Sequence, residues 1–248
     1  MVYDFDSAKQ GDTILPSAGE IIKDSIEGRY KSFLYGLKQN APLEFNFVFG
    51  PNMESIDAHD PPDRWEIEAI ASWLTGHDEY MWLEIEQPDL ETVRYRCIVT
   101  ELKLLASGLE PWAFSCKVSC DSPFAYLYPE TFTYNIPGAR TVNLFSRSAY
   151  SGYYMPKLDL RFSGGSSISI INTSDNSRIF EFRGLPTGSP LSISVDNENM
   201  VITNSLGLDL YPYFNMNFFR LKRGDNNLIF AGNCNVSIIC EFPANIGG

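Results

Sequence analysis

The chain has 248 residues, of which 44% are hydrophobic, 20% charged and 14% aromatic; that is enough to bury the core of one large β domain or two smaller ones, and it excludes a disordered chain. The net charge of −12 is unevenly placed, with 23 acids and 10 bases in residues 1–133 against 8 acids and 9 bases in the remainder. A surface of that sign excludes specific nucleic-acid binding through phosphate contacts, which needs clustered Lys and Arg. It leaves two uses for the acids: solubility, or a surface past which DNA slides without sticking.

Along the chain, the start Met1-Val2-Tyr3-Asp4-Phe5-Asp6 lacks the basic and apolar stretches of a signal peptide, and no run approaches the roughly 18 apolar residues of a membrane span. The protein is therefore expected to be made and folded in a cytoplasm. Alternation of apolar and polar residues then dominates and marks half-buried antiparallel strands. Leu43, Phe45, Phe47 and Phe49 alternate with Glu44, Asn46 and Val48. One helix is predicted at about Pro61 to Thr75, with Asp60 as its cap, Pro61 at the first helical position, Asp63 as a carboxylate in the first turn and Gly76 as its stop. Trp65, Ala69, Ile70, Trp73 and Leu74 share one broad face, so the helix is expected to lie on the sheet with both tryptophans as packing anchors.

After the helix, Met81, Leu83 and Ile85 alternate with Trp82, Glu84 and Glu86, and Phe114, Cys116, Val118 and Cys120 alternate with Ser115, Lys117 and Ser119. The pattern breaks at Ser122 to Glu130, and Ile136-Pro137-Gly138 follows as a turn signal, which divides the chain into residues 1–134 and 135–248. Short strands then recur at 141–145, 157–163, 166–172, 178–183, 191–195, 200–203, 226–231 and 233–242, separated by Gly, Ser, Asn and Asp. That spacing is the signature of a β-sandwich.

Residues fit for chemistry are few. Only His59 and His77 are present, both in loop-like surroundings, and Asp57-Ala58-His59-Asp60 serves better as a helix entry than as a metal cluster. Glu84 and Glu86 share the polar face of a strand, where solvation explains them without glycoside chemistry. Five cysteines, Cys97, Cys116, Cys120, Cys234 and Cys240, form an odd set read as buried thiols rather than disulfides, and Cys116 with Cys120 lacks the second ligand pair a zinc site wants. Arg223-Gly224-Asp225 stands where a hairpin turn wants those residue types. No catalytic, metal or cofactor residues are assigned, and the chain is read as a non-enzyme.

Between the halves, the stretch Trp112-Ala113-Phe114-Ser115-Cys116-Lys117-Val118-Ser119-Cys120-Asp121-Ser122-Pro123-Phe124-Ala125-Tyr126 resembles the end of the first domain in the distal tail proteins of siphophages. Trp73-Leu74-Thr75 followed by Tyr80-Met81-Trp82-Leu83-Glu84-Ile85 is similar to that family's helix and next strand. Tyr153-Tyr154-Met155-Pro156-Lys157-Leu158, Ile170-Ile171-Asn172-Thr173-Ser174-Asp175 and Leu221-Lys222-Arg223-Gly224-Asp225-Asn226 resemble its lectin-like domain. The resemblance spans most of the chain in matching order. It implies a mainly β protein of two domains, an antiparallel sheet domain with one covering helix at about 61–75 followed by a galectin-like β-sandwich.

In function, the resemblance implies a structural protein of the virion's tail tip, assembled in the bacterial host. Its first domains join into a hexameric ring, single or stacked, around a channel for DNA. Its implied partners are copies of itself, the tail tube protein, the tape-measure protein, the tail-associated tip protein and, for some members, a receptor-binding protein; no membrane and no cofactor is implied. The competing reading is a carbohydrate- or receptor-binding module of the baseplate, because a galectin-like groove can hold glycans. Against it, the second half contains no tryptophan, and Tyr150, Tyr153 and Tyr154 fit a packing loop as well as a binding one.

Overall fold

A computed structural model describes residues 20–24, 30–38, 41–50, 62–84, 92–107 and 110–245. The chain separates into two compact units, one built from residues up to Ala125 together with Asn245, the other from Tyr126–Ala244. This division lies upstream of the 134/135 boundary expected from the turn signal, a position that falls inside a strand.

The first unit opens with β1 (Glu20–Asp24) and β2 (Phe33–Lys38), paired antiparallel as a ribbon. A separate sheet contains β3 (Glu44–Phe49), β4 (Met81–Glu84), β5 (Arg94–Ser107) and β6 (Glu110–Cys120). β5 is its centre, paired antiparallel with β6 and with β4, while β3 lies on the far side of β6. The expected alternation holds: Phe47, Phe114, Cys116, Val118 and Cys120 are buried, and all of these but Phe114 join Tyr95 and Cys97 in one core, while Phe114 stacks on Phe49 with ring centroids 5.4 Å apart. Leu43, Phe45, Phe49 and Leu83 pack against that core half-buried.

The helix α1 runs Arg64–Thr75, starting three residues later than expected. Asp63, not Asp60, is the cap: Asp63 Oδ1 accepts from the Glu66 N–H at 2.8 Å and Glu66 Oε2 accepts from the Asp63 N–H at 3.0 Å. A reciprocal box of this kind satisfies two orphan donors at once, which a lone aspartate before a proline cannot do. Asp60 and Pro61 lie outside the described residues. Gly76 ends the helix as expected, its N–H donating to the Ser72 carbonyl at 2.9 Å.

The face is also corrected. The half-buried positions are Ile67, Ile70, Ala71 and Leu74, whereas Trp65, Ala69 and Trp73 are exposed. The sequence offers two apolar stripes about half a turn apart, and a 3.6-residue period alone does not rank them.

β7 (Ala125–Tyr126) and β15 (Pro243–Ala244) are two-residue strands at either end of the second unit's sequence. That unit contains β8 (Glu130–Ser146), β9 (Lys157–Phe162), β10 (Ile168–Asn172), β11 (Arg178–Phe182), β12 (Leu191–Asp196), β13 (Val201–Asn204) and β14 (Gly224–Cys240), with a 3-10 turn at Tyr211–Tyr213. Six run in the order β11-β10-β14-β9-β12-β13, and β8 pairs with β14 along its whole length.

Two expected strands, 226–231 and 233–242, are thus one continuous β14, and the turn expected at Ile136-Pro137-Gly138 lies within β8. The reason is the pair Gly138 opposite Gly232, with φ of +150° and +155°. Conformations that side chains disfavour let the ribbon bend without breaking its ladder. Before the bend β14 pairs with β10, and after it with β9. Leu158, Leu160, Ile168, Ile170, Phe180, Phe182, Leu191, Ile193, Leu228, Phe230, Val236 and Ile238 are all essentially inaccessible. Strands β9, β10, β11, β12 and β14 each bury alternate residues and so hide one face, whereas β13 at the sheet edge buries none.

Candidate assembly surfaces

No catalytic constellation is assembled among the described residues. His77 is exposed just beyond α1, and Glu84 is exposed on β4; His59 and Glu86 lie outside the described residues. No three His, Cys, Asp or Glu side chains among the described residues form a set able to hold a metal. All five cysteines are free thiols and buried. Burial pushes the Cys234 and Cys240 thiols up to about 12, which removes the thiolate that reactivity requires.

The polar groups of the second unit hold its loops. Asp175, buried, takes two hydrogen bonds from Arg220, at 2.7 Å from Nε and 3.1 Å from the guanidinium terminus, and the Tyr153 ring stacks 3.5 Å from that guanidinium. Burial acts to raise the Asp175 carboxyl, but hydrogen bonds from Arg220 and Tyr153 and the charges of Arg220 and Arg178 outweigh it and leave the group below the usual carboxylate range. Asn226, fully buried, accepts from the Lys222 N–H at 2.9 Å and donates to the Lys222 and Gly224 carbonyls at 2.8 and 2.9 Å. The Arg223-Gly224-Asp225 tripeptide is therefore a turn held from inside, with Gly224 at φ +82°. Tyr154 packs on Phe242 with ring centroids 5.0 Å apart, and its hydroxyl oxygen accepts from the Glu241 N–H at 2.6 Å. Two of the three tyrosines considered for glycan stacking are thus engaged in holding the fold.

Exposed apolar surface is the more informative feature. The edge strand β11 is covered, since Asn215 bonds back to it through its N–H to the Glu181 carbonyl at 3.0 Å and through Nδ2 to the Ile179 carbonyl at 2.8 Å. At the opposite edge β13 pairs only with β12 among the described residues, and Met200, Val201, Leu206 and Leu208 are exposed around it. In the first unit, Trp65 is 77% and Trp73 70% exposed, and Tyr80, Met81 and Trp82 are more than two-fifths exposed. Arg94 stacks 4.2 Å from the Trp82 ring centroid and Arg96 5.9 Å from that of Tyr80. Tryptophan, tyrosine and arginine in such stacks are the residues that dominate protein interfaces, whereas single exposed leucines are ordinary. Both helix tryptophans, expected as packing anchors against the sheet, face solvent instead. The available signal was the second apolar stripe of the helix.

Residues 1–122 match the family model of the phage tail protein N-terminal domain, and residues 124–240 match that of the phage tail C-terminal domain. The chain belongs to the phage tail proteins. No curated protein matches it. Among solved structures, this phage tail protein is similar to the Dit (gp 19.1) protein of phage SPP1, described as a paradigm of the hub adsorption apparatus in phages infecting Gram-positive hosts. The TM-score is 0.60 at 15% identity, over 94% of this chain and 91% of that one. A chain of the phage P2 baseplate in its activated conformation with Ca is also similar, with a TM-score of 0.48 at 12% identity over 91% of this chain and 86% of that one. The mainly β, two-domain architecture with one helix is thus the fold of a distal tail protein, and the protein is a structural, virion-associated component of the tail.

Proposed function

We propose that this phage tail protein forms a hexameric ring that joins the tail tube to the baseplate or tip and leaves a channel for DNA, with the first unit closing the ring and the second unit peripheral. The observation that supports it most is the fold shared with the SPP1 hub protein along 94% of the chain. The partners that go with this role are copies of itself, the tail tube protein, the tape-measure protein and the tail-associated tip protein, brought together in the host cytoplasm. The role needs no catalysis.

The charge split supports a channel-lining use for the first half. Glu44, Asp78, Glu79, Glu84 and Glu101 are all exposed, while Lys117 and Lys103 are engaged by Glu44 and Glu101 at 2.7 Å. A wall of that sign repels phosphate, so DNA passes without binding. Light scattering of the purified chain at high concentration tests the proposal: it predicts about six copies per particle, the closed symmetry of the ring. A chain that stays single and also fails to join the tail tube and tip proteins contradicts it.

A further inference from the structure

Helix α1 has no buried residue. A 12-residue helix is marginal in water by propensity alone and takes most of its stability from burying a face. Here Ile67, Ile70, Ala71 and Leu74 turn inward and reach only half burial, while Trp65, Ala69 and Trp73 form a second apolar stripe facing solvent. At about 200 Å² of apolar surface per tryptophan, Trp65 and Trp73 alone expose roughly 300 Å², within the range of the whole largest patch on a typical monomer. An apolar helix on both sides is a helix buried on both sides.

The chemistry around the stripe identifies what covers it. Glu68 lies on the same outward side as the tryptophans, and Asp63 and Glu66 stand at the helix start, so the face is aromatic with an acidic edge. The chain itself carries the complementary surface. On β4 and β5, Trp82 lies opposite Arg96 in register, and Arg94 and Arg96 stack on Trp82 and Tyr80, an aromatic plate edged by cations, of which Arg96 stays half exposed while lying 3.8 Å from its own chain's Asp121. Two different residue sets that complement one another make a head-to-tail contact, the kind that generates a ring when the rotation closes.

We propose that the Trp65–Trp73 face of α1 docks on the Tyr80, Trp82, Arg94 and Arg96 face of a second copy of this chain, with Glu68 meeting the arginines across the contact. This rests on the ring reading given above and adds to it which surfaces meet.

The test uses the full chain and light scattering, with far-UV circular dichroism as the folding control. Because Trp65 and Trp73 are exposed, W65E/W73E is expected to keep the wild-type spectrum while the particle mass falls to that of one 28.0 kDa chain. Glu68→Arg and Arg96→Glu are each expected to disperse the particle, and E68R/R96E in one chain to recover it, because every contact regains an opposite-charge pair. The assignment is overturned if W65E/W73E keeps the wild-type mass, as it would were the stripe covered by a different tail protein. It is also overturned if the double charge exchange is no better assembled than the single ones. A wild-type chain that is itself single at every concentration contradicts the ring; a wild-type particle indifferent to these variants contradicts the docking surface alone.

Discussion

Asp175 and Arg220 show how a single pair governs the second unit. The carboxyl is buried and the guanidinium is its bidentate partner, so removing Arg220 leaves a carboxylate in the interior. Arg220→Ala is expected to destabilise this unit by about 2 to 3 kcal/mol at neutral pH, below the usual range for a fully buried pair because Arg220 is itself partly exposed. The folded carboxyl is more acidic than the unfolded one. The pair's contribution is therefore complete above the unfolded value near 3.9 and is lost as pH falls through the lower folded value. Urea melts down the acid range check both points: the variant should lose stability at neutral pH and show a shallower acid decline, and a wild-type melt would refute the account. The thiols give a second prediction at this scale. Native protein should react with a thiol reagent slowly, and unfolded protein should present all five cysteines; fewer than five after unfolding without reductant means a disulfide has formed. The buried state of Cys116 and Cys120 was legible from alternation alone, whereas Asp175 was not, since its partner lies 45 residues away and only the fold brings them together.

Among elements, the strands with strict alternation were readable because each hides one face. Lys157–Phe162 and Leu191–Asp196 end within a residue of their expected bounds. The long ribbon was not, because glycine and proline are turn residues locally and become a bend only when a partner strand pairs through them. Gly232→Ala should therefore cost about 2 kcal/mol or more, since it adds backbone strain to a Cβ that would stand 2.6 Å from the Ser167 carbonyl oxygen. Gly138→Ala should cost less, about 1 kcal/mol, because nothing lies within 4 Å of its Cβ. Equal denaturant midpoints for the two would contradict the crowding argument. The helix was legible in existence and end, while its start and inward face were missed. The cap was decided by the Asp63–Glu66 reciprocity, and the face by which of two apolar stripes the sheet accepted. Asp63→Ala should weaken the helix by about 1 kcal/mol, seen as faster amide exchange over 64–75; unchanged exchange there would rule the box out as its anchor.

For the whole molecule, the acidic first unit and the near-neutral second unit carry different parts of the account. A fragment of the second unit, 126–244, has its own core and should melt cooperatively and remain single while the full chain assembles. A fragment that assembles by itself would move the ring contact out of the first unit. The sequence offers two histidines, His59 and His77, and no arrangement of residues from which a catalytic site is assigned. The assembly surface was hidden because it uses the same tryptophans and arginines that serve cores and ion pairs elsewhere. The account stands most directly on electron-microscope images of the purified full chain. It predicts closed rings of about six subunits with an open centre and projecting outer lobes; fields of single particles at high concentration, or filaments that never close, would contradict it.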